Sequence, residues 1–131
     1  MRDIREIVQE ALDSCFGGAP IVIPEEMSTG NIPDEYITYN IVSGVYTAYA
    51  NGRPIQRRDN IDVNWYGNDI SLKMPRMVEI ESAMTAAGFM AVSLPSDIDR
   101  SNNADYYGAT MEFALYRAVP SETPEEVPNE A

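Results

Sequence analysis

Apolar residues recur at Ile4, Ile7, Val8, Ala11, Leu12, Cys15 and Phe16, while Arg2, Arg5, Glu6, Gln9, Glu10 and Asp13 fall between them. This i, i+3, i+4, i+7 spacing predicts an amphipathic helix over 4–16, closed by Gly17-Gly18, where glycine takes the left-handed C-terminal position without a Cβ penalty. Such a stripe can meet a partner, but its ordinary use is to pack on the domain's own sheet. Residues 19–33 break the pattern into a connecting loop, with a short strand at Ile21-Val22-Ile23. The period then becomes two. Ile37, Tyr39 and Ile41 alternate with Tyr36, Thr38, Asn40 and Val42, and a second β-rich run over 45–50 follows Ser43-Gly44. Asn51-Gly52 is a strong hairpin signal, because a type I′ turn needs positive φ at both central positions. The return arm carries Arg53, Pro54, Ile55, Gln56, Arg57 and Arg58, and Ile61, Val63 and Trp65 then share one face. These residues predict an antiparallel meander of two or three strands with an exposed basic tip.

Beyond Tyr66-Gly67-Asn68-Asp69, whose side chains can cap a helix, Pro75 sets the start of the next element. Proline suits a helix's first turn and is costly inside it, so a regular helix is expected from about Met74, after a loose turn over 70–73. Met77, Ile80, Met84 and Ala87, with Val78 and Ala83 beside them, form its inner stripe, and Gly88 stops it. A short strand is expected over 89–94 and a polar loop over 95–105. A last strand follows, with Tyr107, Ala109, Met111, Phe113 and Leu115 on one face and Tyr106, Thr110, Glu112, Ala114 and Tyr116 on the other. From Val119 onward there are three prolines, four glutamates and no aromatic residue, the composition of a disordered acidic tail. The element order predicts a single α+β domain over 1–118. It has an antiparallel sheet of four to five strands, two helices packed on one face and an extended hairpin, followed by the tail over 119–131.

Charge and residue types narrow the function. With 9 basic and 21 acidic side chains the chain carries −12, which repels phosphate backbones and anionic membranes and argues against sequence-specific DNA binding. The apolar runs are far shorter than the roughly 20 residues that cross a bilayer. Asp3, Glu6 and Glu10 interrupt the N-terminal stripe, unlike an export signal, so a cytoplasmic protein is expected. There is no histidine and one cysteine, which removes histidine-dependent nucleophile arrangements and intrachain disulfides. Cys15 is expected to be a small buried hydrophobe. Asp97, Asp99, Ser101 and Asn102 have part of a calcium loop's spacing, but Asn102 stands where glycine is needed and Gly108 where a bidentate glutamate is needed. A solvated loop is the better reading. Asp59 with Asp62, or Glu79 with Glu81, are paired carboxylates of the sort an acidic chain contains by chance, and Lys73 is the sole lysine, without a glycine-rich phosphate loop. No catalytic residue, cofactor or metal is therefore expected. What stands out is Tyr46 and Tyr49 around Asn51-Gly52, beside Arg53, Arg57 and Arg58. Arginines and tyrosines gathered in an acidic chain suit contact with an acidic surface, including another copy of the same protein. A solvated hairpin is the plainer alternative.

Several stretches taken together carry a resemblance: the N-terminal helix, a proline before YITYNIVSG, the AYANGRP turn, the DVNWYGND strand end, a helix ending in AAGF, and YYGATMEFALYRA. Over 3–118 the chain resembles the tail terminator or tail-completion proteins of long-tailed bacteriophages, which include the tail-to-head joining proteins. The resemblance implies an α+β fold and a homo-oligomeric ring, usually of six subunits, at the head-proximal end of the tail tube. There it would stop tube growth and meet the tail tube protein and the head connector or neck protein, with DNA passing through the lumen without specific binding. It also implies a virion protein assembled in the host cytoplasm, with no reaction to catalyse. Pro75 and the acidic tail depart from the pattern. The alternative is a β-rich carbohydrate- or protein-binding module using Trp65 and the strand tyrosines; a third reading, an acidic hydrolase, would need carboxylates converging in a pocket.

Overall fold

The alternating stretches become the long strands of one sheet. The structure, a computed structural model, describes residues 1–16, 20–24, 33–98 and 106–120. In chain order the elements are α1 (Ile4–Phe16), β1 (Ile21–Pro24), β2 (Glu35–Ala50), β3 (Arg53–Gly67), a 3-10 turn (Ile70–Leu72), α2 (Lys73–Ala86), β4 (Met90–Ala91), β5 (Ser96–Asp97) and β6 (Tyr107–Ala118). They form a mixed α/β fold of two helices and a six-stranded sheet, in the order β1-β2-β3-β6-β4 with β5 also on β6. The pairings are antiparallel except for β1, which runs parallel to β2. That pair departs from the all-antiparallel expectation: periodicity tells which face a strand buries, not which way its neighbour runs.

Alternation puts Ile37, Tyr39, Ile61, Val63, Trp65, Ala109, Met111, Phe113 and Leu115 on one side of the sheet. There they join Ile4, Val8, Ala11 and Leu12 of α1 and Met77, Ile80 and Met84 of α2 in a single buried cluster. Both helices thus cover the same face, and the opposite face is left polar. Pro75 sits in the first turn of α2, where its missing N–H costs nothing. Ahead of it Asp69 caps the 3-10 turn, accepting a 3.0 Å hydrogen bond from the Ser71 N–H. Gly88, at φ +101°, reverses the chain after α2 so that the Phe89 N–H reaches the Met84 carbonyl and Phe89 enters the core. Val78, one residue on from Met77, lies about 100° around the helix and is exposed.

Some details differ from the sequence expectation. The runs over 36–42 and 45–50 are one strand, because the register shift between Ile41 and Ser43 absorbs Val42 without ending the pairing. Within the strand expected over 89–94, Met90–Ala91 pairs as β4, and β5 forms inside the stretch expected as polar loop; both are hydrogen-bonded to the same edge of β6, and Pro95 between them has no N–H to donate. Cys15 is exposed rather than buried. Its azimuth is that of the stripe, but in the last turn of α1 its neighbour is the Glu79 carbonyl of α2, 3.5 Å from Sγ. Burial of the thiol, then the Glu79 charge, push its pKa up. The Gly17-Gly18 helix stop, 99–105 of the expected polar loop and 121–131 of the expected tail lie outside the described residues.

A polar clasp holds one end of the sheet to α2. The Glu35 carboxylate accepts from Trp65 Nε1 at 2.8 Å and from Arg76 Nε at 2.7 Å, while Arg76 also reaches Glu79 at 3.0 Å. Burial pushes the Glu35 pKa up, but the hydrogen bonds from Arg76 and Trp65 outweigh it and leave the carboxyl below its ordinary value. Gly67 lies against the same tryptophan, and a Cβ there would overlap the Trp65 ring. Trp65 has no exposed surface into which to shift. Gly67→Ala is therefore expected to cost about 1–3 kcal/mol, read as a lower urea midpoint at unchanged slope.

Candidate assembly interface

The stretch over 36–58 contains three of the nine basic residues and none of the 21 acidic ones, leaving the rest of the chain with six against 21. It includes the hairpin, and the strand pairings show how far the hairpin stands clear of the body. β1 accompanies β2 only as far as Tyr39. On the other side β6 accompanies β3 to Gln56, opposite Ala118, and the Val119 N–H adds a 3.0 Å bond to the Ile55 carbonyl. Among the described residues, only β2 and β3 continue past that point. The turn is the one Asn-Gly specifies, with Asn51 at φ 54° and Gly52 at φ 75°.

Three register shifts shape this arm, at Ile41/Ser43, Tyr46/Ala48 and Ala48/Tyr49. In a regular strand Tyr46 and Tyr49, three residues apart, would face opposite sides. The extra residue at Thr47 brings them back together, and their rings meet edge to face with centroids 6.3 Å apart. Tyr46 is 52% and Tyr49 62% exposed, and Val42, Val45 and Ile55 are exposed as well. The spacing of the two tyrosines gave no hint of this pairing, since a bulge has no simple sequence signature.

The three arginines do not gather at the tip. Arg53 is opposite Ala50 beside the turn, whereas Arg57 and Arg58 lie at the arm's root on opposite faces, as alternation requires. Arg57 donates to Asp59 Oδ1 at 2.6 Å, and Arg117 to Asp59 Oδ2 at 3.1 Å. Asp59 is 1% exposed. Arg117 also donates to the Arg2 carbonyl at 2.8 Å, tying the arm's root to the start of the chain. Gly44 leaves room for this ion cluster, since a Cβ there would come within 3.1 Å of Asp59 Oδ1. On the far face the Arg58 guanidinium lies 6.0 Å from the Tyr116 ring centre, with its NH1 3.4 Å from the Tyr116 hydroxyl. The expected basic tip is thus corrected to a single arginine at the turn and two bound at the base.

The polar face of the sheet carries Asn60 bonded to Ser43, Asn64 bonded to Thr38, and Tyr36 stacked on Tyr66 at 5.0 Å. Between them Asp62 stands directly opposite Glu112. Burial, and then the Glu112 charge, raise the Asp62 pKa. A carboxyl raised on folding destabilises the native state above its folded pKa, and that penalty is relieved as pH falls through it. Asp62→Asn is accordingly expected to stabilise the protein at pH 7 by about 0.5 kcal/mol. The gain should shrink as pH falls through the raised Asp62 pKa toward the ordinary carboxylate value and stay level below it, measured by thermal melts across pH.

The other residues singled out in the sequence do not converge. Asp59 and Asp62 lie on opposite faces of β3, Glu79 is bound to Arg76, and Glu81 is exposed. Asp97 pairs with Lys73, while Asp99, Ser101 and Asn102 lie outside the described residues. Among the described residues no three metal-ligating side chains cluster, and no helix is long and apolar enough to cross a membrane. Trp65 is fully buried and cannot offer its ring to a sugar. No protein-family model matches the chain, and neither does any curated protein. Among solved structures 27 chains match. One, which carries no descriptive name, shares 12% identity over 92% of this chain and 98% of its own, with a TM-score of 0.48, too distant to speak for fold or activity.

Proposed function

We propose that this chain is a structural protein of a long-tailed bacteriophage virion, a tail terminator. In this reading it forms a ring at the head-proximal end of the tail tube, stops tube growth and joins the tail to the head. The observation that carries the proposal is the arm: an acid-free, arginine-bearing hairpin with paired, exposed tyrosines, projecting from an otherwise acidic domain. Such a surface suits contact with an acidic neighbour, and in a ring that neighbour is the next subunit or the tube. The acidic remainder of each subunit, repeated around the ring, gives a lumen wall along which DNA slides without adhering. The tail tube protein and the head connector or neck protein are the other partners.

The purified protein is added to growing tail tubes and the mixture followed by electron microscopy. The expected result is a terminal knob or ring at one end only and arrest of elongation. Undecorated tubes that lengthen at the same rate with and without the protein would refute the proposal.

A further inference from the structure

The arm needs a receiving surface, and the helix side of the same chain offers one. α1 and α2 face each other across Ala11, Ala83, Ala86 and Ala87, side chains too small to fill the space between the helices. An open groove of about 760 Å³ remains, with Glu10 and Asp13 along its α1 edge. Arg2 bonds Glu10 at 2.9 Å, whereas the Asp13 carboxylate is held by the neutral Gln9 amide at 3.1–3.2 Å, so the rim is net negative.

We infer that this groove receives the hairpin tip of a second copy of the chain, with Tyr46 and Tyr49 over the alanine floor and Arg53 toward Asp13. The inference rests on the ring proposed above and names the surface that each arm would engage. Charge selects a second copy: the tip carries Arg53 in a stretch, 36–58, that has no acidic residue, and the groove rim it would meet is net negative. Shape agrees, because two rings meeting edge to face form a compact apolar knob and the floor opposite is mostly alanine methyl groups, with Ile7 and Ser14 beside them. Arm and groove are different surfaces, so the contact is heterologous. Each copy gives one arm and accepts one, which closes into a ring when the rotation permits.

Disulfide trapping tests this. Three batches of the full chain, all carrying Cys15→Ser, bear Ala50→Cys, Ala86→Cys and Val92→Cys respectively; Ala50 is exposed beside the turn and leaves both tyrosines in place, and Val92 is exposed at the far edge of β6. Circular dichroism checks that each is folded, and the batches are mixed pairwise and oxidised. The expected outcome is a mixed Ala50→Cys/Ala86→Cys dimer in about tenfold excess over Ala50→Cys/Val92→Cys, falling at about 1 M salt, where charges are screened beyond roughly 3 Å. In a second measurement, Arg53→Glu lowers the yield and combining it with Asp13→Arg in the partner restores it. Equal yields at Ala86→Cys and Val92→Cys, or no mixed dimer at all, overturn the inference. Rings seen on tubes without the Ala86→Cys crosslink sink the docking site and leave the proposed function standing. The crosslink without tube decoration does the reverse.

Discussion

Asp59→Ala is expected to lower the unfolding free energy by about 3–5 kcal/mol, the usual cost of removing one partner from a buried ion cluster. Asp59 is 1% exposed and binds both Arg57 and Arg117. Without it two guanidinium groups, 32% and 16% exposed, face each other with no anion between them. The cluster is not an efficient source of stability. The Nε–H groups of Arg57 and Arg117 are buried without a hydrogen-bond partner, and each such donor carries a desolvation penalty. A triple replacement, Asp59→Leu with Arg57→Met and Arg117→Met, should therefore recover most of what Asp59→Ala loses. Urea unfolding of the single and triple variants decides the matter. If the single variant loses less than about 1 kcal/mol, water reaches the arginines and the site is not dry. If the triple variant is as unstable as the single one, the ions are needed for the arm's geometry. Arg117 bridges Asp59 to the Arg2 carbonyl, so this cluster also fixes how the arm leaves the body.

That cluster is a case of what the sequence conveys and what it withholds. The period-2 alternation of Ile37, Tyr39, Ile41 and of Ile61, Val63, Trp65 was legible because burying one sheet face constrains every second residue. The positions of α1 and α2 were legible for the same kind of reason, including the placing of Pro75 in a first turn. Asp59 read as half of a chance acidic pair with Asp62, because nothing local shows that β6 delivers Arg117 to it across the sheet. The same limit applies to Arg57 and Arg58. Adjacent residues in a strand look like a cluster when written in line, and alternation sends them to opposite faces. The Tyr46–Tyr49 pair was visible as two tyrosines but not as a contact, since the bulge that joins them depends on how β2 meets β3. The parallel β1 and the exposure of Cys15 likewise depend on neighbours distant in sequence.

The combined variant Tyr46→Ser, Tyr49→Ser, Arg53→Glu is expected to keep the folded body and, under the tail-terminator function proposed above, to lose tail joining. Both tyrosines are more than half exposed, and the ring contact between them is worth about 0.5–1.5 kcal/mol. The loss of stability should therefore stay near that figure and the melting transition should remain cooperative. At an interface the same tyrosines would act as anchors, and truncating one such anchor typically costs about 2 kcal/mol or more. Two anchors and a reversed charge should weaken assembly by at least about a hundredfold, measured as the protein concentration that arrests half of the growing tubes. Arg53 is the arginine to reverse. Arg57→Glu would set a second carboxylate against Asp59 and take away one of its two arginines, leaving Arg117 as counter-charge, and Arg58→Glu would lose the Tyr116 contact, so defects from either would confound folding with binding. Confined to the tip, the variant separates the two. A folded protein that arrests tubes at the wild-type concentration would show that the arm is merely solvated, whereas a folded protein that no longer arrests them assigns the tyrosines and Arg53 to assembly.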